Sequence, residues 1–275
     1  MSGRAPGRLA ALPDPVPDDA LRRNFAWRYY YSGEFPFSCA AARHVRHHRI
    51  EWAVHLLRAV GGPASRRLLV DVGCGPGEAA VLVARALGGF ERVVGFDVDA
   101  TFGPLLRALA GGNGGTARYV SGSAPALPVR GGAASLVISL ELLEHLPAWR
   151  GVLEEAARVL EPGGLLLAST PNPAGLHSLL KWPYARVRGF AAMNRAYRRA
   201  GDFYERFVPL QEVVGAARAA GLETLAAARG GHVFTFAPDA LLPLNRAVEG
   251  VLERRGWLVR LAVTTFVVAR KPVGA

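Results

Sequence analysis

The chain has almost no lysine. Lys181 and Lys271 are the two among 33 basic residues, and arginine supplies the rest. It has two cysteines, Cys39 and Cys74, too few for a disulfide framework. It lacks an apolar run of membrane-spanning length. The most apolar late segment, residues 258–269, is short and carries Arg260, which excludes a spanning helix there. An apolar signal core is also missing from residues 1–19, which are rich in Pro, Ala and Asp and read as a disordered tail. These absences point to a cytoplasmic protein. The lysine scarcity also bears on the net charge of +11. Ala, Gly, Arg and Pro are abundant together, as in GC-rich coding sequence. Composition therefore accounts for much of the basic balance without a polyanionic partner.

What is present is a hydrophobic fraction of 51% over 275 residues. That excludes a mainly disordered protein and suffices for one α/β domain with a sizeable core. Residues 40–60 read as a helix with apolar positions at Val45, Ile50, Trp52, Val54, Leu56 and Leu57, ended by Gly61-Gly62-Pro63. Short apolar runs then alternate with helical segments. Strands are expected at 68–72, 92–96, 117–120, 135–139 and 165–169. Helices are expected at 79–87, 102–110 and 149–160, the last ended by Pro162-Gly163-Gly164. Alternation of this kind predicts a parallel sheet. Residues 208–220 read as a further helix, with two last strands at 222–227 and 261–269. The expected fold is a doubly wound, mostly parallel, seven-stranded Rossmann-like sheet. Residues 1–37 are a flexible tail or helical lid, and 38–275 the main domain. Within that domain an aromatic- and arginine-rich insertion over 170–207 caps the sheet, and a helix is added at 238–257.

The segment Leu68-Leu69-Val70-Asp71-Val72-Gly73-Cys74-Gly75-Pro76-Gly77 runs from a buried strand into a helix start. Glycines there permit positive φ and let a ligand approach the backbone. The loop opens on an acidic residue and lacks both the G-x-G-x-x-G spacing and a Lys-Ser/Thr ending. A carboxylate at its mouth suits a ligand with an ammonium and a sulfonium better than one with a pyrophosphate. Asp97 follows Gly77 by 20 residues and ends the second strand, where a carboxylate accepts from ribose hydroxyls. Asp99 is its competitor. Loop capping is the bland alternative for both carboxylates.

Asp71-Val-Gly-Cys-Gly-Pro-Gly resembles the first motif of class I S-adenosylmethionine-dependent methyltransferases, and Gly95-Phe-Asp97 their second. Arg158-Val-Leu-Glu-Pro-Gly-Gly164 is similar to their turn before strand five. Ser139-Leu-Glu-Leu-Leu-Glu-His145-Leu and Ser169-Thr-Pro-Asn172 resemble the branch that holds the ubiquinone and menaquinone biosynthesis methyltransferases, the type 11 branch. The resemblance implies S-adenosylmethionine as methyl donor. It implies that Asp71 holds the methionine amino group and that Gly73, Gly75 and Gly77 line the methionine moiety. Asp97 would take the ribose and Val98 would lie beside the adenine. Cys74, Ser123, Ala124 and Leu140 complete the implied cofactor contacts. Ser123 stands where the family usually has an acidic residue, and it accepts a hydrogen bond without charge. Ser135-Leu136 departs from a commoner Phe-Asp.

Methyl transfer needs alignment and exclusion of water, and a general base only where the acceptor arrives protonated. His145 is the candidate base, with Glu141 as a second candidate catalytic group; packing at a helix start is the alternative for His145. Tyr30 in the lid segment, with Tyr204 and Arg206 beside the insertion, are candidate contacts to an aromatic or acidic small-molecule acceptor. His44 and His48 lie one helical turn apart, but no third ligand is evident beside them and no metal is expected. A nucleic-acid methyltransferase is the runner-up, and a cofactor-binding protein without activity another. The Asp-first loop argues against a nicotinamide dehydrogenase. Against a nucleic-acid substrate stands Ser139-Leu-Glu-Leu142, where base-methylating enzymes carry Asn/Asp-Pro-Pro-aromatic. Residues 237–266 leave peripheral membrane contact open.

Overall fold

The alternation folds as one sheet. The computed structural model describes residues 6–14, 19–34, 39–111, 117–175, 178–179, 206–231, 239–253 and 256–274. The strands are β1 (Leu68–Val72), β2 (Arg92–Asp97), β3 (Ala117–Ser121), β4 (Ala134–Leu140), β5 (Leu160–Pro171), β6 (Glu223–Gly230) and β7 (Thr264–Arg270). Their order is β3-β2-β1-β4-β5-β7-β6. β1 to β5 pair in parallel, and β7 runs antiparallel between β5 and β6. The order reverses between β1 and β4, so the carboxyl ends of these two strands flank a crevice.

The described helices are α1 (Asp19–Arg23), α2 (Phe25–Tyr31), α3 (Ala40–Ala59), α4 (Glu78–Ala86), α5 (Phe102–Ala110), α6 (Arg150–Val159), α7 (Leu210–Ala219) and α8 (Leu242–Glu253). Successive strand residues feed opposite faces. Leu69, Leu136, Ile138 and Phe266 join α3, α4 and α5 in one core. Val70, Val72, Val137 and Val267 join α6 and α7 in the other. β1 is buried along its whole length, which explains its almost unbroken apolar run and makes Asp71 the exception. Among the described residues no helix is long and apolar enough to cross a membrane.

Three expectations change. Pro162-Gly163-Gly164 does not separate α6 from the strand, because β5 begins at Leu160 directly after the helix. The Gly163 amide donates to the Lys271 carbonyl at 2.8 Å, and Lys271 N donates to Gly164 O at 2.9 Å. These bonds keep the irregular stretch inside the sheet. The last strand starts at Thr264 rather than 261, because Gly256–Leu261 forms 3-10 turns. The described part of the N-terminal segment is docked rather than loose. Leu9 N donates to Glu51 Oε1 at 2.9 Å, and Leu9 and Leu12 pack against the α3 core. Asn24 caps α2 and donates from Nδ2 to Thr101 O at 2.8 Å, fastening α1 and α2 beside α5. Most of the expected cap, residues 180–205, lies outside the described residues.

Ser135, a departure from the resembled pattern, has a structural reason. Its buried hydroxyl accepts from the amides of Arg67 at 3.0 Å and Leu68 at 3.2 Å, and from Ser65 Oγ at 2.9 Å. This ties the entry of β1 to β4. Ser135→Ala strands those donors and is expected to lower unfolding stability by about 1–3 kcal/mol in urea titrations.

Candidate functional site

The loop after β1 folds back onto the end of β2. The amides of Gly73 and Cys74 both donate to Phe96 O, at 2.8 and 2.9 Å, and Gly75 N donates to Asp97 Oδ2 at 2.9 Å. Positive φ makes these bonds reachable: Gly73 has φ 73°, Gly75 50° and Gly77 84°. Two of the glycines are also required by packing. A Cβ on Gly73 would come 2.8 Å from Leu142 Cδ1, and one on Gly77 would come 2.2 Å from Leu106 Cδ1. Gly75 differs, because a Cβ there would meet nothing within 4 Å. Its face is open enough for a ligand to reach the backbone. The Cys74 side chain turns inward against Gly95, and burial pushes its thiol pKa up, so only its backbone faces the loop.

The loop brings Asp71 and Asp97 into one corner. Asp71 is 1% exposed, and its Oδ2 has no hydrogen-bond partner. Its carboxyl receives the Ala80 amide near the start of α4. Burial, with the Asp97 charge second, raises its pKa from 3.8 to about 8. Burial likewise raises Asp97, against the pull of the Asp99 and Gly75 amides. A buried carboxyl with an orphaned oxygen, beside a second carboxyl, is a place where a bound cation would favour the ionised form. The geometry also separates Asp97 from Asp99. Asp99 Oδ1 is taken by Thr101 N at 2.9 Å and Thr101 Oγ1 at 2.7 Å, which shape the turn into α5. Val98, next along, is 75% exposed, an apolar side chain left bare beside Asp97. Ser123 is exposed and Ala124 half-buried on the neighbouring loop, whose Gly122 N donates to Asp97 O at 3.0 Å. The residues present therefore fit an ammonium at Asp71, a ribose at Asp97 and a purine over Val98.

The other wall of the crevice follows β4. Leu140 is half-buried at its end, and Glu141 takes φ 55°, a left-handed conformation rare for a side-chain-bearing residue. Glu141 is clamped in place. Its amide donates to Ser169 O at 3.1 Å, its Oε1 accepts from Ser169 Oγ at 3.0 Å, and its Oε2 lies 3.2 Å from Arg49 Nη2. His145 closes the 3-10 turn Leu143–His145, its side chain 36% exposed and its Nε2 3.8 Å from Glu144 Oε1.

The expected acceptor contacts are scattered. Arg206 bonds Glu212 Oε2 at 3.2 Å, and its amide donates to Glu144 O at 2.9 Å. Its backbone thus reaches the turn before His145 while its guanidinium is held by α7. Tyr30 lies under the Arg46 guanidinium, 4.8 Å from ring centroid to Cζ, and Arg46 reaches Glu78 at 3.8 Å, one residue past the glycine loop. Tyr204 lies outside the described residues.

Sequence reasoning missed Arg46 and Arg49, because nothing in the helical pattern shows that α3 lies along the crevice. It also missed Glu249 and Glu253. They reach His48 across the interface between α3 and α8: His48 Nε2 is 2.7 Å from Glu253 Oε1 and 3.5 Å from Glu249 Oε1. Burial disfavours the imidazolium of His48, but Glu253 and Glu51 outweigh it and hold its pKa up to about 10.

Comparison with known proteins gives the family. The family described as "Methyltransferase domain" matches residues 70–168, which run from β1 through most of β5. A ubiquinone biosynthesis O-methyltransferase of Thiobacillus denitrificans is 30% identical over 164 residues, 59% of this chain and 67% of that protein. One of Cupriavidus pinatubonensis is 30% identical over 64% of this chain and 66% of its own. The chain spans about two thirds of the length of the curated relatives it matches. Among solved structures, an S-adenosylmethionine-dependent methyltransferase of Mesorhizobium loti superposes with TM-score 0.57 at 18% identity, covering 80% of this chain and 97% of that one. A geranyl diphosphate methyltransferase in complex with sinefungin superposes with TM-score 0.55 at 20% identity, covering 84% and 82%. These likenesses show the shared fold. The chain belongs to the S-adenosylmethionine-dependent methyltransferases.

Asp71→Asn is expected to weaken S-adenosylhomocysteine binding at least tenfold by calorimetry. The same substitution tests the electrostatics. Between 3.8 and about 8, Asp71 is protonated in the folded ligand-free chain and ionised in the unfolded one. The folded state binds the extra proton, so stability falls as pH rises through that window. The asparagine variant lacks this loss, and its Tm relative to the parent chain is expected to rise steadily from pH 5 to pH 8.5.

Proposed function

We propose that this chain transfers the methyl group of S-adenosylmethionine to a small-molecule acceptor, an aromatic hydroxyl in the first instance. The observation that carries the reading is the two-walled crevice. Asp71, with its orphaned oxygen, and Asp97 lie on one wall, and Glu141 and His145 on the other. The donor supplies a methyl group already activated on sulfur. The protein's own tasks are alignment, exclusion of water and removal of one proton.

Asp71 anchors the donor's amino group and Asp97 its ribose. Leu142, packed on Gly73, covers the loop with hydrocarbon and keeps water from the reacting centre. His145 takes the acceptor's proton, with the Glu144 carboxylate beside the imidazolium that results. Glu141, clamped by Ser169 and Arg49, positions the turn that carries His145 rather than touching the acceptor. The relatives named for O-methylation in ubiquinone biosynthesis favour a hydroxylated aromatic acceptor. The helical pair α1–α2, docked on α5 through Asn24 on Thr101 and Tyr30 against Phe102, serves as the lid.

The experiment is methyl transfer from labelled S-adenosylmethionine to a panel of hydroxylated aromatic acids. His145→Ala is expected to lower kcat about 100-fold or more while leaving S-adenosylhomocysteine affinity within twofold. A chain that binds the donor but methylates none of the panel would be a binding protein or an enzyme for another acceptor class, and the reading would fall.

A further inference from the structure

Helix α8 is docked with the wrong face inward for a globular helix. Its buried side chains are Asn245, Glu249 and Glu253, a polar stripe at four-residue spacing, while Leu244, Val248 and Val251 are exposed. Amphipathic helices bury the opposite stripe, so a specific partner must hold these carboxylates inside. Across from them α3 presents His44 and His48, also four residues apart, with their rings stacked at 5.7 Å and 15°.

The donor atoms converge. His44 Nε2 lies 2.9 Å from Glu249 Oε2, His48 Nε2 3.5 Å from Glu249 Oε1, and His48 Nε2 2.7 Å from Glu253 Oε1. Donor atoms of His48, Glu249 and Glu253 all fall within 4.8 Å of one another. Zinc bonds of about 2.0–2.1 Å in a tetrahedron place neighbouring donors about 3.3 Å apart, within the 2.7–3.5 Å observed, so the two hydrogen-bonded pairs would open by roughly half an ångström on binding.

A second feature points to a ligand set rather than a chance cluster. The far nitrogen of His48, Nδ1, sits 2.7 Å from Glu51 Oε2, which fixes the ring and leaves Nε2 facing α8. Trp52 Nε1 donates to Glu253 Oε1 at 2.9 Å and orients that carboxylate. Carboxylate–histidine pairing behind a donor atom is the usual support of a metal-bound imidazole. A crevice lined by His48, Glu249, Gly230, Gly231 and Thr264 opens on the cluster and offers an entry path.

We propose that His48, Glu249 and Glu253 bind one first-row divalent transition cation, with His44, hydrogen-bonded to Glu249 outside that group, turning in as the fourth ligand, and with zinc the best match to two imidazoles and two carboxylates. The imidazoles disfavour magnesium and calcium, and the described cluster has no thiolate to select copper(I). The cation would displace the proton that His48 otherwise holds against the α8 carboxylates, and would rivet the excursion between β6 and β7 to α3. That helix is the one whose Arg46 and Arg49 reach Glu78 and Glu141. The site is structural and independent of the methyl-donor corner.

The test uses the full chain, stripped with chelator and titrated with zinc chloride and cobalt(II) chloride. One equivalent is expected to bind with micromolar or tighter Kd, cobalt giving the visible spectrum of a four-coordinate centre. Saturating zinc should raise Tm by about 5 °C. Glu253→Gln and, separately, His44→Gln, whose side chain is the most exposed of the four, should each weaken zinc at least tenfold. S-adenosylhomocysteine affinity, measured on the same samples, reports folding and should stay within twofold, which separates this proposal from the methyl-transfer reading. The absence of stoichiometric zinc or cobalt binding by a stripped chain that still binds S-adenosylhomocysteine would overturn the site. So would equal binding by the parent chain and both variants.

Discussion

The site depends on one set of backbone bonds. The amides of Gly73, Cys74 and Gly75 are all spent on the last two residues of β2, two on the Phe96 carbonyl and one on the Asp97 carboxylate. That fold-back joins the ends of β1 and β2 and encloses two carboxylates where water is scarce. The arrangement is costly in the ligand-free chain, as the raised pKa values of Asp71 and Asp97 express. On the function proposed above, a cationic donor would offset that cost and a neutral ligand would not.

Helix α3 is the second organising element. It packs on the sheet through Ile50, Trp52, Ala53, Val54, Leu56 and Leu57. Its other residues face three different parts of the molecule. Arg46 and Arg49 reach the two walls of the crevice, His47 holds the carbonyl of Leu9, and His44 and His48 meet α8. Fixing α3 thus fixes both the N-terminal segment and the helix between β6 and β7.

Much of the sheet was legible because a buried parallel strand must be apolar and must stop at turn residues. β1 and α5 fall where the pattern places them, and β2, β3 and β4 within a residue or so. The Pro162-Gly163-Gly164 stretch misled because its glycines look like a stop, yet the bonds of Gly163 and Gly164 with Lys271 carry the strand through it. The start of β7 misled for a related reason: residues 256–261 are apolar enough for a strand but coil into 3-10 turns. At the site, Asp71 and Asp97 were legible from strand ends and loop glycines. Arg206 was not, since its guanidinium answers to Glu212 on α7, a contact no local pattern encodes.

The sequence by itself determined the alternation of elements, the glycine loop and the positions of the two carboxylates, because these follow from local φ requirements and from burial periodicity. Tertiary structure alone decided which helix faces meet. His44 and His48 are a plain i, i+4 pair on one helix, and Glu249 and Glu253 are another such pair 205 residues further along the chain. Only packing across the sheet edge sets them donor to donor. Long-range contact, unlike strand or helix formation, is not a property of neighbouring residues, and so it was invisible until the chain was folded.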